Sequence, residues 1–436
     1  MTKKFVLILL DGLGDRSHAE LGGKTPLQAA DTPYLDSLAA RGCCGLYHAS
    51  GPGQALPSEN AHFVMFGYDH TEFPGRGALE ALGAGISLDR KQVAVLTHFV
   101  SVREEQGKLR LMRDKVEADK EEAEQALARV AEFTSGNVHI RLVPTKGLFG
   151  VLVLTGKVSP LITDSNPILD GNFLSAIKPL QKAAGNENSL ETAEALTEYL
   201  SWSYNNLKKA PFNLVREKSG KFLLNALVTQ RAGQLKDRLP FELKNGIKGL
   251  SISSGVVYQG LGAYLGMDII RGSELNDPGR EIEERVETAR QNLQQYDFIH
   301  IHSKAPDEAA HRKDPLLKKQ VIESLDEGLR ASLPRLLENK DVIVAVTADH
   351  STPSSGPLVH SGEPVPLLIT GPGIRVDEVD KFDEISTACG GLGFVRGSEF
   401  MYLVLNYLDR SKLIGLMDIP EDRPYWPGGG EPFILN

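Results

Sequence analysis

The chain has 436 residues with 48 basic against 57 acidic side chains, a formal net charge of −9 with the signs interspersed, which argues against a nucleic-acid surface. At this length, with 41% hydrophobic residues, two domains are expected rather than one ordinary core. The adjacent Cys43 and Cys44 with the distant Cys389 form no disulfide framework, which suits a reducing cytoplasm, and the apolar run Phe5 to Leu10 is too short for a signal-peptide core or a membrane span.

In chain order, Phe5 to Leu10 predicts a buried strand ending at Asp11, the carboxyl end at which open α/β sheets place their ligands. Pro57-Ser58-Glu59-Asn60-Ala61 predicts a helix start, where a serine ordinarily caps and where unpaired N–H groups would also stabilise a phosphoserine. GRGALEALGAGI (75 to 86) reads as a turn and a small-residue helix. Strands follow at Gln92–Val102 and Lys108–Met112, then a helix at Ala118–Phe133 and strands at Asn137–Val143 and Phe149–Leu154. This β-β-α-β-β order predicts a small α+β insert, a sheet with helices on one face. Ser189–Leu207 is expected as a helix, Gly249–Ser253 as a strand and Val256–Leu265 as a helix. The strand Asp297–His302 leads into Asp307 and His311, four residues apart on one face of a helical turn. After an amphipathic helix at Leu316–Glu338, the strand Val342–Thr347 runs into Asp349 and His350, and His360 precedes the strand Val365–Thr370. The stretch PYWPGGGEPF (424 to 433) is expected as a tail.

Asp11, Ser58, Asp307, His311, Asp349, His350 and His360 together make the parts list of a two-metal phosphoryl-transfer site. Imidazole and carboxylate with no thiolate in reach suit Zn or Mn, and two divalent metal ions about 3.5 to 4 Å apart can clamp the attacking and leaving oxygens of an in-line displacement. Metal coordination is also one of the few ways to make a serine hydroxyl nucleophilic at neutral pH. His300 and His302 are expected to pack or to support ligands, and His18, His62, His70, His98 and His139 to be ordinary surface or satisfied histidines.

The ordered motifs DGLGD (11 to 15), PSENAHFVMFGYD (57 to 69), GRGALEALGAGI, HSKAPDEAAH (302 to 311), TADHSTP (347 to 353) and HSGEPVP (360 to 366) resemble the archaeal-type cofactor-independent phosphoglycerate mutases of the alkaline phosphatase superfamily. The resemblance implies an α/β fold: an alkaline-phosphatase-like core sheet sandwiched by helices (1–88 and 180–436) with an inserted small α+β cap domain (89–179). It implies that Ser58 becomes phosphorylated, that Asp11, Ser58, Asp349 and His350 hold one metal, and that Asp307, His311 and His360 hold the other. The implied reaction interconverts 3-phosphoglycerate and 2-phosphoglycerate, the substrate being gripped by basic residues of both domains; neither nucleic acid nor a membrane is an expected partner. Of that grip the chain retains Arg76, Asp164, Arg231 and Lys304, with Arg285 near a customary lysine. It departs at Leu96-Thr97-His98, where the family has Arg-Cys-Asn, and at Glu117 and near Phe149, where it has arginines. Arg110, Arg113 and Arg141 could grip instead; the other reading is a phosphatase or phosphotransferase of the same superfamily acting on a different small phosphorylated or phosphonylated metabolite.

Overall fold

The computed structural model describes residues 2–413, 423–424 and 432–435, so most of the expected tail lies outside the described residues. In chain order the strands that matter are β1 (Lys4–Leu10), β2 (Cys43–His48), β3 (Val93–Glu105), β4 (Lys108–Arg113), β5 (Glu132–Ser135), β6 (Val138–Lys146), β7 (Phe149–Thr155), β8 (Ala226–Gly233), β9 (Gly249–Ser253), β10 (Asp268–Arg271), β11 (Phe298–Ser303), β12 (Val342–Thr347), β13 (Val365–Thr370) and β14 (Gly393–Arg396). They divide between two compact units, residues 1–73 with 238–436, and residues 74–237.

The first unit is built on an eight-stranded sheet in the order β10-β9-β11-β1-β12-β13-β2-β14. Strand β1 lies parallel to both β11 and β12, and every residue from Phe5 to Leu10 is fully buried, as a central parallel strand covered on both faces requires. The helices Pro278–Asn292 and Pro315–Leu337 pack closely on each other, and Gly279 and Gly328 let their backbones touch: a Cβ on Gly328 would meet the Gly279 carbonyl and come within 2.7 Å of Ile282 Cγ2.

The second unit is an antiparallel sheet, β4-β3-β7-β6-β5, with β8 pairing along β3 as well. Period-two alternation sends Val93, Val95 and Phe99 to one face, against the helices Lys120–Arg129 and Glu187–Leu207. It sends Ala94 and Leu96 to the other, against Ala81 of the helix Arg76–Gly83, so helices cover both faces and not one. The unit also outruns the expected 89–179. Its sheet needs β8, more than a hundred residues from β3 in sequence, and its core needs Leu196 and Tyr199 of the long helix. The expected helix Ala118–Phe133 ends at Arg129 because Glu132–Ser135 pairs as β5 with β6. Among the described residues no helix is long and apolar enough to cross a membrane.

Candidate active site

Strand register brings the site together. Leu10 lies beside Ser303 and Leu9 beside Thr347, so β1, β11 and β12 end level, and Asp11, Asp307 and Asp349 leave the same sheet edge. Because β13 runs antiparallel to β12, its beginning falls on that edge too, which delivers His360. The helix Ala305–His311 follows β11 directly and sets His311 Nε2 3.1 Å from Asp307 Oδ2, one turn apart. His350 Nε2 lies 3.4 Å from Asp11 Oδ1 and 3.2 Å from Asp349 Oδ2; His360 Nε2 lies 3.7 Å from Asp307 Oδ1, and the two imidazoles stack at 3.9 Å. Ser58 is the first residue of the helix Ser58–Met65, whose cap position belongs to Pro57, and its Oγ sits 2.8 Å from His350 Nε2. The serine is not acting as the helix cap.

Ligand atoms of Asp11, Asp349 and His350 all fall within 4.8 Å of one another, and so do those of Asp307, His350 and His360. Burial, with Asp349 and Asp307 nearby, pushes the Asp11 carboxyl well above the usual range, and burial also lifts Asp349 to about 7. Asp307 is half-buried, which raises its carboxyl, yet its hydrogen bond from His311 and the neighbouring imidazoles hold it down to about 2. Burial and His360 hold His350 well below the ordinary histidine range, so it is neutral and offers lone pairs. Among the described residues Asp11 Oδ1 and Asp349 Oδ2 accept no hydrogen bond. Bare buried carboxylate oxygens facing neutral imidazole nitrogen fit divalent cations, whose charge would relieve the repulsion that protons otherwise relieve.

Further residues hold these side chains in place. Tyr258 donates to Asp11 Oδ2 at 2.7 Å, and His302 Nε2 reaches the same oxygen at 3.1 Å, which leaves Oδ1 for the site. Thr352 Oγ1 donates to Asp307 Oδ1 at 2.8 Å and lies 3.1 Å from His350 Nδ1. Both contacts are satisfied when the His350 proton is on Nδ1, so that Nε2 points its lone pair at the cluster. His62 stands 2.8 Å from the Ser58 carbonyl and 3.3 Å from Asp349 Oδ2. It is fully buried with Nδ1 hydrogen-bonded, which answers to the satisfied and not the surface histidine of the two expected. Gly12, at φ 64, donates its N–H to Asp349 Oδ1; a side chain there would come within 2.6 Å of Thr352 Oγ1. Beneath the loops, the fully buried Lys318 donates to the carbonyls of Gly14 and Thr352 and pairs with Asp15 at 3.1 Å. Tyr258 and Lys318 carried no spacing signal; His62 lies a single helical turn after Ser58, and Thr352 two residues after His350 within TADHSTP.

The expected substrate residues separate. Lys304 follows β11, lies over the Tyr258 ring at 5.1 Å and, among the described residues, donates no hydrogen bond, so its ammonium is available to an anion. Arg285 is different: it is buried, pairs with Glu281 at 2.9 Å, and donates to the His302 and Ser273 carbonyls and to Ser254. Its guanidinium is committed inside the protein, which leaves it no reach to a substrate. Arg76, Asp164 and Arg231 belong to the second unit. Arg76 pairs with Glu80, and Asp164 accepts the Arg231 backbone N–H at 2.7 Å, which fixes Arg231 at φ 53. There too Leu96 is buried, while Phe149 is 46% exposed and stacks on His98.

A model of the Metalloenzyme superfamily matches residues 3–407. The chain is 37% identical over 439 residues, covering 99% of both proteins, to the 2,3-bisphosphoglycerate-independent phosphoglycerate mutase 2 of Methanocaldococcus jannaschii. It is 34% identical to the 2,3-bisphosphoglycerate-independent phosphoglycerate mutase of Methanopyrus kandleri, over 95% of this chain and 99% of the other. Among solved structures, the cofactor-independent phosphoglycerate mutase of Thermoplasma acidophilum aligns with a TM-score of 0.65 and 28% identity over 93% of this chain and 100% of the other. A Pyrococcus horikoshii protein aligns at 0.76 and 29% over 95% and 100%.

Proposed function

The chain belongs to the Metalloenzyme superfamily and, within it, to the 2,3-bisphosphoglycerate-independent phosphoglycerate mutases, and on that premise we propose that it interconverts 3-phosphoglycerate and 2-phosphoglycerate through phospho-Ser58. The observation that carries the mechanism is Ser58 Oγ lying 2.8 Å from His350 Nε2 inside a cluster of buried carboxylates and neutral imidazoles. Asp11, Ser58, Asp349 and His350 would hold one divalent ion and Asp307, His311 and His360 a second, Mn or Zn by their donor chemistry. Such ions supply positive charge that makes the serine oxygen nucleophilic and neutralises the phosphoryl oxygens in flight.

Ser58 Oγ gives up its proton and bonds to phosphorus as the ester bond to glycerate breaks, and a proton is returned to the departing glycerate oxygen, so the step is proton-neutral. The other hydroxyl of the same glycerate then attacks phospho-Ser58, losing its proton as the Ser58–phosphorus bond breaks. Lys304, whose ammonium donates no hydrogen bond among the described residues, grips the anionic substrate, and the N-terminus of the helix Ser58–Met65 favours the phosphoserine charge. We assign the remaining grip on the substrate to Arg76, Arg231 and Asp164 of the inserted unit. The buried, unpaired Cys43 and Cys44 support a reducing compartment, the cytoplasm.

The test is a product assay on Mn-loaded protein with 3-phosphoglycerate, following 2-phosphoglycerate and free phosphate together. Isomerisation far exceeding phosphate release is expected, as is loss of turnover by several orders of magnitude, with loss of trapped phosphoprotein, in Ser58→Ala. Phosphate as the main product would make the enzyme a phosphatase, and Ser58→Ala turning over at a tenth of the parent rate would remove the phosphoserine.

A further inference from the structure

Tyr258 is the third residue of the helix Val256–Leu265 and is 5% exposed. Its hydroxyl donates to Asp11 Oδ2 at 2.7 Å. The ring is wedged between two buried histidines, with centroids 4.1 Å from His302 and 4.9 Å from His62. Across its face lies the Lys304 ammonium, 5.1 Å from the centroid, with Gly255 so close to the amine that a Cβ there would collide with it.

Each contact has a chemical consequence. Asp11 would be a weak, mobile ligand if both its oxygens could turn toward the cluster; the phenol and His302 occupy Oδ2 together, so Oδ1 alone faces His350. Lys304 has a long flexible stem and no hydrogen bond to fix it among the described residues, so the ring face is what localises its charge. One side chain thereby links the group that would hold a metal to the group that would meet the substrate anion.

We propose that Tyr258 is a positioning residue of the phosphoryl-transfer site, its hydroxyl orienting the Asp11 carboxylate and its ring holding the Lys304 ammonium. This rests on the reading of Asp11 as a metal ligand and of Lys304 as the anion contact. The two halves separate by substitution: Tyr258→Phe removes the hydroxyl and keeps the ring, whereas Tyr258→Leu and Tyr258→Met remove both, and either folded variant of that pair suffices.

The experiment uses the full chain stripped with chelator, titrates Mn(II) by calorimetry, and measures competitive inhibition by inorganic phosphate at saturating Mn(II). In Tyr258→Phe, Mn(II) affinity is expected to fall about 10- to 100-fold. Excess Mn(II) should restore its turnover, and phosphate inhibition should stay within twofold of the parent. Tyr258→Leu or Tyr258→Met should show the same metal loss and, in addition, a several-fold weaker phosphate inhibition that vanishes as a difference in a Lys304→Ala background. Parent-like Mn(II) binding by Tyr258→Phe would overturn the orienting role, and equal phosphate inhibition in the Phe and aliphatic variants would overturn the hold on Lys304. A parent chain that binds no Mn(II), or one in which Lys304→Ala leaves phosphate inhibition unchanged, would instead sink the underlying reading.

Discussion

Asp349 shows how strongly this site is arranged around a charge the chain does not itself carry. Burial lifts its carboxyl to about 7, far above the ~3.9 of an unfolded chain. The metal-free folded protein therefore binds that proton more tightly than the unfolded chain does. Stability from this group is full below about pH 4 and is lost as pH rises through about 7. Asp349→Asn removes the loss. At pH 8 in chelator the variant should unfold at higher temperature than the parent, by on the order of 1–3 kcal/mol, and with Mn(II) the order should reverse. Differential scanning calorimetry with and without metal reads both arms, and a parent that is the more stable in chelator would contradict the account. Lys318 presents the opposite case, a buried cation already paired. Lys318→Met removes the counter-charge of the buried Asp15 carboxylate and the donor to the Gly14 and Thr352 carbonyls, so a loss of about 3–5 kcal/mol is expected in denaturant unfolding. Six of the seven expected ligands stand out in the sequence because each follows or precedes an apolar run, and strand ends are where α/β sheets assemble sites; Ser58 stands instead at a helix start. Tyr258, Thr352 and Lys318 do not stand out, because each serves a partner 40 to more than 200 positions away in sequence, and an aromatic or a lysine in a helix announces no such partner. Arg285 misled for the converse reason: charge is visible in sequence, but not the carbonyls of His302 and Ser273 that consume it.

At the scale of elements, β1, β9, β11, β12 and β13 of the first unit could be read almost to the residue, since buried strands of a central sheet are near-continuous apolar runs, whereas β2, β10 and β14 could not. The second unit was harder. Its β8, ALVTQRAG, is half polar, and its pairing with β3 is fixed by contacts formed only when the chain returns. The helix pair behind the site makes a separate prediction. Alanine is the better helix former by about 1 kcal/mol, but at Gly328 its methyl would press on the Gly279 carbonyl, which is backbone and cannot turn away. Overpacking of this kind costs about 1–3 kcal/mol, so Gly328→Ala should lower stability, as measured by urea unfolding. A stabilised variant would mean that the helices part without cost. Because Arg285 rides on the Pro278–Asn292 helix and holds the His302 carbonyl, the variant should also weaken Mn(II) binding modestly.

For the whole molecule, the decisive feature is that residues 74–237 form their own compact unit with their own sheet and core. Its two ends meet: the Gln234 N–H donates to the Pro74 carbonyl at 2.7 Å, and Gly233 packs against the same residue. A segment with adjacent ends and a private core should fold when expressed alone. The excised stretch is expected to melt cooperatively by circular dichroism and to bind no Mn(II), since every proposed ligand lies in the other unit; a molten or aggregated product would show that its sheet needs the rest of the chain.

The same adjacency governs how the chain would respond to being pulled. Handles placed at Thr2 and Arg410 both grip the first unit, and Lys3 is joined to Asp409 by a 3.0 Å ion pair, so tension enters there. The second unit hangs from an internal stretch of that unit and feels no load until its host has come apart. In an optical trap the metal-binding unit should therefore give way first and the insert second, in that order on every pull. Bound Mn(II) should raise the first force and leave the second untouched.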